Sequence, residues 1–172
     1  MKLYLFIGCL VLLSATPKKY PIKIEITYTS SYCGGAAPNE EMLNSIAMPR
    51  PLPFKKLYLK KGEINSFGNK LFKELIADSN GFIKVSLVSG NYFIVDENKK
   101  DKTVFDAMVK KYANKTKTEG PIDIECYKKW FSTPDLKIIV SNKLKQEYQL
   151  NINNDCFFQG KPCIPYFGPM PP

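Results

Sequence analysis

Histidine is absent from all 172 residues, which removes Ser–His and Cys–His hydrolytic pairs, His-bearing zinc sites and proton relays centred near neutral pH. The reactive side chains that remain are five cysteines, sixteen carboxylates and a large excess of lysine. The cysteine spacings contain no Cys-x-x-Cys, so neither a thioredoxin-like redox pair nor a zinc knuckle is read. No glycine-rich phosphate loop of either common type occurs. No cofactor and no metal site are therefore expected. A glycosidase needs only two carboxylates, and Glu74, Asp96 and Glu97 are the candidates, but nothing in their spacing sets any two at the required separation. Asp78, Asn80 and Gly81 match part of a calcium loop, yet the twelfth position is Ser89, which leaves turn chemistry as the better account.

How the cysteines are read depends on compartment. Residues 1–15, MKLYLFIGCLVLLSA, place one lysine before an unbroken apolar run and end in Ser14-Ala15, the layout of a secretory signal. That run is shorter than the ~20 residues of a membrane-spanning helix, so no span is expected. A rival reading makes Cys9, preceded by Gly8, a lipid-modified cysteine. The expected location is secreted or periplasmic, with an outer-membrane lipoprotein as the alternative. In an oxidising compartment thiols pair, which leaves Cys33, Cys126, Cys156 and Cys163 and three connectivities. The expected bridges are Cys156–Cys163, a local clip, and Cys33–Cys126. In the chain-entropy model the long one would contribute about 4–5 kcal/mol.

The formal charge is +9, or one less if Lys2 leaves with the signal. Such a balance favours acidic partners, and for an exported chain the candidates are an unknown protein or an anionic glycan rather than nucleic acid. Arg50 is the only arginine among 25 basic residues. Bidentate grips on phosphate use arginine, so scattered pairs such as Lys55/Lys56 and Lys110/Lys111 read first as a soluble, lysine-rich surface.

The elements that must position these groups follow from periodicity. Apolar residues alternate over 22–29, a half-buried strand. Periodicity then lapses to residue 53, apart from a helix-capable patch at 39–47, and Cys33 would tether this long loop. Residues 51–96 organise the chain, with strands at 56–61, 69–77, 82–88 and 91–96. The turn Asp78-Ser79-Asn80-Gly81 and a tight Ser89-Gly90 hairpin link them. An amphipathic helix is expected over 103–113, with Thr103 and Asp106 as a capping box and Asp106 paired to Lys110. A second helical segment spans 122–131. Strands 136–141 and 146–152 read as a final hairpin around Asn142-Lys143, and residues 154–172 as a cysteine- and proline-rich tail. The sum is a mainly β chain: one domain over 16–172, an antiparallel seven-stranded β-sandwich with one or two short helices inserted at 101–132, stapled by disulfides. Exposed loop aromatics are the candidate partner contacts: Tyr32 beside Gly34-Gly35, Phe157 and Phe158 between two cysteines, and Tyr166 and Phe167 in the tail. They either stack on a sugar or protein partner or cap the sandwich ends.

Residues 51–95, with Pro51-Leu52-Pro53 leading into Leu57-Tyr58-Leu59, then Ala77-Asp78-Ser79-Asn80-Gly81-Phe82, then Leu87-Val88-Ser89-Gly90-Asn91-Tyr92, resemble the carboxypeptidase regulatory-like modules. These are transthyretin-like (prealbumin-like) β-sandwiches related to Cna-B surface modules. The chain matches the family's "TDxNGxF" turn and "LPxGxY" hairpin and departs from its first strand motif at Phe54-Lys55-Lys56. The layout is also similar to small exported bacterial proteins built on such a module. The resemblance implies a transthyretin-like fold and a non-catalytic binding or accessory role at the cell envelope or outside the cell. Cna-B relatives often carry a Lys–Asn crosslink; Lys23 or Lys56 with Asn151 or Asn153 are the residues available, and no motif selects them. A carboxylate-dependent glycan hydrolase and a purely structural spacer of an envelope assembly are the alternatives.

Overall fold

The computed structural model describes residues 17–142, 146–156 and 161–169. Cys9, Phe157 and Phe158 lie outside the described residues, as does the expected signal segment. Eight strands form two four-stranded sheets. In the first sheet the long strand β1 (Lys19–Ser30) is central. One of its edges pairs antiparallel with β2 (Arg50–Pro51) and β5 (Phe82–Val88), and the other pairs with β8 (Gln146–Asn154). The second sheet runs β4 (Leu71–Ile76), β3 (Lys56–Lys61), β6 (Gly90–Val95), β7 (Leu136–Val140), antiparallel throughout.

The alternation written into each strand sets the main core between the sheets. Ile22, Ile24 and Ile26 of β1, Ile83, Val85 and Leu87 of β5 and Leu150 of β8 meet Leu57, Leu59, Leu75, Tyr92, Ile94, Ile138 and Val140. Two turns carry the chain from sheet to sheet. At Asp78–Gly81 the Asp78 carboxylate accepts from the amides of Asn80 and Phe82, both at 2.9 Å. The Phe82 amide is the chief cause holding that carboxyl below its usual range. Gly81 has φ +79°, and a Cβ there would lie 2.7 Å from the Ile26 carbonyl oxygen, so glycine is required on both counts.

Three α-helices complete the described chain. Asn39 caps α1 (Glu40–Ala47) by accepting from the Met42 amide, and this helix buries no side chain. A one-turn 3-10 helix, Glu97–Lys99, precedes α2 (Lys102–Lys111) and α3 (Ile124–Ser132). Phe105, Tyr112, Ile122, Tyr127, Phe131 and Ile164 make a second core. Phe105 stacks on Tyr127 at 5.0 Å between centroids.

Several expectations are corrected. The mainly β, two-sheet, disulfide-stapled architecture holds, with eight strands rather than seven and three helices rather than one or two. The first sheet is mixed, because β8 runs parallel to β1 from Ile22↔Gln146 to Ser30↔Asn154. β7 and β8 are therefore not a hairpin but lie in different sheets, and the Tyr148 hydroxyl reaches across, donating to the Ile139 carbonyl at 2.9 Å. Ser89-Gly90 is likewise a corner between sheets, since β5 and β6 do not pair. Asp101 rather than Thr103 caps α2, and Asp106 pairs with Lys102 rather than Lys110.

The bridges are Cys33–Cys156 and Cys126–Cys163, not the expected pairing. The parallel register is the reason for the first: β1 and β8 end side by side at Ser30 and Asn154, and their next residues leave at the same corner, where the Ser31 amide donates to the Asn154 carbonyl. The second follows from the tail folding over α3, with the Asp123 amide donating to the Cys163 carbonyl at 2.9 Å.

Candidate binding face

Each sheet has an outer face, and the chain treats the two differently. Outer residues of the two middle strands of the second sheet are roofed, while Ile76 of β4 and Ile139 of β7 at its edges stay exposed. Tyr58, Phe93 and Val95 form a small buried cluster, and Lys60 is 2% exposed. The Lys60 ammonium donates to Asn65 Oδ1 at 2.7 Å. The Asn65 amide in turn donates to the carbonyls of Lys99 at 2.8 Å and Phe131 at 2.9 Å. Asn65 thus ties strand β3, the 3-10 turn and α3 together. Burial lowers the Lys60 pKa below its ordinary 10.5, with the Asp101 carboxylate opposing that shift. Lys99 reaches the Thr133 carbonyl at 3.0 Å and Asp135 at 2.6 Å.

The first sheet keeps its outer face open. Among the described residues every outward side chain of β1, β5 and β8 is exposed or half-exposed. At its C-terminal half, Thr27 and Thr29 stand beside Asn151 and Asn153 in parallel register. Thr27 donates to Asn151 Oδ1 at 3.1 Å, the Asn151 amide to Thr29 Oγ1 at 3.0 Å, and the Asn153 amide to Ser31 Oγ at 3.3 Å. Glu25 closes the row by accepting from the Gln149 amide at 2.9 Å. Hydroxyls and carboxamides are thereby held in a line along two strands, each amide keeping donor or acceptor capacity toward solvent. At the other half of this face, Lys19, Lys23 and Lys84 surround a groove that continues round to Lys73 of β4.

A separate cleft of about 320 Å³ lies where the free edge of β8 meets Trp130, Asp96, Asp135 and Asp155. Its carboxylates already serve the fold. Asp96 caps the 3-10 turn and holds Lys55 at 2.9 Å, while Asp135 takes Lys99 on one oxygen and the Asp96 amide on the other. Trp130 stacks on Tyr127 at 5.3 Å, with the Lys99 ammonium 4.4 Å from its ring centroid. The indole is thus engaged by both Tyr127 and Lys99.

The residues expected at a site are spread over the molecule. Tyr32 is half-buried beside the Cys33–Cys156 bridge, its hydroxyl on the Ala36 carbonyl. Tyr166 bridges Glu119, and Phe167 is exposed under the Lys115 ammonium. Glu74 pairs with Lys56 at 2.8 Å, which raises the Lys56 pKa, and Glu97 adds to that shift without pairing. Lys23 sits over the Phe82 ring, so neither it nor Lys56 meets Asn151 or Asn153. The features that sequence reading missed are the Thr27–Asn151 row and the lysine groove. The T-x-T of the first strand and the N-x-N of the last were visible signals, but only the parallel pairing joins them. Among the described residues no cluster of three or more metal-ligating side chains occurs, and no helix is long and apolar enough to cross a membrane. No family model, no curated protein and no solved structure matches the chain.

Proposed function

We propose that this chain is an exported, non-catalytic binding module that meets its partner with the open outer face of the first sheet. The observation that carries the reading is the contrast in cover. The second sheet closes the outer face of its middle strands with a buried polar knot that ties in the 3-10 turn and α3, while the first leaves a pre-ordered row of Thr27, Thr29, Asn151 and Asn153 in contact with water. Ordered side chains that need not rearrange on contact lower the entropic cost of binding. Two disulfides fit an extracellular or periplasmic location. The resemblance to transthyretin-like surface modules, if it reflects kinship, points to the same class of role.

Retention on insoluble envelope fragments of the source cell tests this. The mature protein should be retained, and Asn151→Tyr/Asn153→Tyr, which adds uncharged, strand-compatible bulk to the row, should be released. A wild-type protein that is not retained, or a variant retained equally well, overturns the reading.

A further inference from the structure

The lysine half of the open face has a chemistry of its own. A groove of about 570 Å³ is lined by Lys19, Lys23 and Lys84 from the first sheet and by Lys73 from β4, over a floor that includes Pro21 and Val85. No carboxylate lines it. Six lysines elsewhere, Lys55, Lys56, Lys99, Lys102, Lys128 and Lys161, each hold a carboxylate. Acids do border it on the rest of the sheet: Glu147 stands opposite Lys23 on β8, Glu25 is engaged by Gln149, and Asp78, whose Oδ1 accepts from two backbone amides, feels Lys84 and Lys23 from a distance.

Register makes the arrangement more pointed. Lys23 and Lys84 are direct partners across the antiparallel β1/β5 pair, and Lys19 projects from the same face two pairs further along. Like charges directly opposite one another destabilise a sheet; the Phe82 ring, 4.2 Å from the Lys23 ammonium, and Glu147, opposite Lys23 on β8, offset part of this. An anion in the groove would offset the rest, which falls on Lys19, Lys73 and Lys84 as well. The cations are ammoniums on flexible stems, not guanidiniums. They suit charges spaced along a chain better than one phosphate gripped from two sides. The Thr27–Asn151 row lies further along the same face, past Glu25, and its hydroxyls and amides match the hydrogen-bonding groups of sugars.

We infer that the open face binds a linear acidic polysaccharide, with its carboxylate or sulfate groups in the Lys19/Lys23/Lys73/Lys84 groove and its hydroxyls along the Thr/Asn row. This rests on the open face being the binding surface and names the class of partner it takes. The test is titration calorimetry of the full mature protein against polygalacturonate, heparin, neutral dextran and polyphosphate at 0.15 M salt, with Lys23→Gln/Lys84→Gln beside a charge-matched control, Lys110→Gln/Lys111→Gln, on α2. Polygalacturonate or heparin should bind, and dextran should not. The groove pair should weaken binding tenfold or more and the control less than twofold, and the groove variant should keep or raise the wild-type melting temperature because a like-charge pair is gone. The inference is overturned if neither acidic polysaccharide binds, if both variants lose affinity equally, or if polyphosphate binds as tightly as the polysaccharides. Envelope retention that is lost in Asn151→Tyr/Asn153→Tyr but unchanged in Lys23→Gln/Lys84→Gln would sink the polysaccharide and leave the binding face standing.

Discussion

The two sheets start from the same alternation and end with opposite outer faces. β3 buries four successive residues, Leu57 to Lys60, because the middle of the second sheet is covered on both sides; β1 buries only every second residue. The roof encloses polar groups that must then find partners, and Lys60, Asn65 and Lys99 do so within a few ångströms. The open face has polar groups too, but water is their alternative partner. Identical residue types should therefore carry very different weight on the two sides, and that difference is measurable.

The largest effects belong to the bridges that close each region. Cys33–Cys156 spans 123 residues at the end of the first sheet, and Cys126–Cys163 spans 37 across the roof. The chain-entropy relation gives about 5 kcal/mol for the first and about 4 kcal/mol for the second. Urea unfolding of the two double-serine variants should place both losses well above 2 kcal/mol; a near-neutral result for either would mean that its loop is already ordered in the unfolded chain.

Next comes the polar knot. Asn65→Ala strands a buried ammonium and two buried carbonyls at once, and a loss of about 3 kcal/mol or more is expected from denaturant curves. The same knot should give a pH signature. Lys60 has its pKa lowered on folding, so protonation opposes the native state and this penalty eases as pH rises through the folded value toward 10.5. Wild type should therefore gain stability relative to Lys60→Met between pH 8 and 10.5. A flat difference would show that Lys60 reaches solvent.

Much of this was legible beforehand, and the reason the rest was not is physical. Strand positions from 56 to 95 and the patch at 39–47 follow from periodicity and turn residues, which are local properties. Alternation says which side of a strand is apolar but not which strand lies next to it. Asn142-Lys143 therefore read as a hairpin, although β8 had gone to the far edge of β1, and the cysteine pairing went wrong for the same reason. Lys60, placed opposite the core-facing residues of β3, reads as a solvated charge. Only the arrival of Asn65 and Phe131 from elsewhere in the chain makes it a buried one. The lysine groove draws on both sheets, so its members could not be grouped from their sequence positions.

A smaller effect of opposite sign is expected inside the roof. The Tyr127 hydroxyl is buried with no hydrogen-bond partner among the described residues, and burial raises its pKa. Tyr127→Phe keeps the stacking on Phe105 and Trp130 and removes the stranded hydroxyl. A gain of about 1 kcal/mol should follow. A loss would mean that a water completes the site.

The smallest effect gives the comparison its sharpest form. Asn151 carries the same amide as Asn65 and makes two side-chain hydrogen bonds, to Thr27 and Thr29, against three for Asn65. Both of its partners are half-exposed, so water replaces each bond that Asn151→Ala removes. The change should stay within about 0.5 kcal/mol, as for other surface positions. One asparagine would thus hold a roof in place while another, bonded through the same amide, contributes almost nothing to stability. If Asn151→Ala instead cost as much as Asn65→Ala, the row would be structural, and the open face would have lost its claim to be kept for a partner.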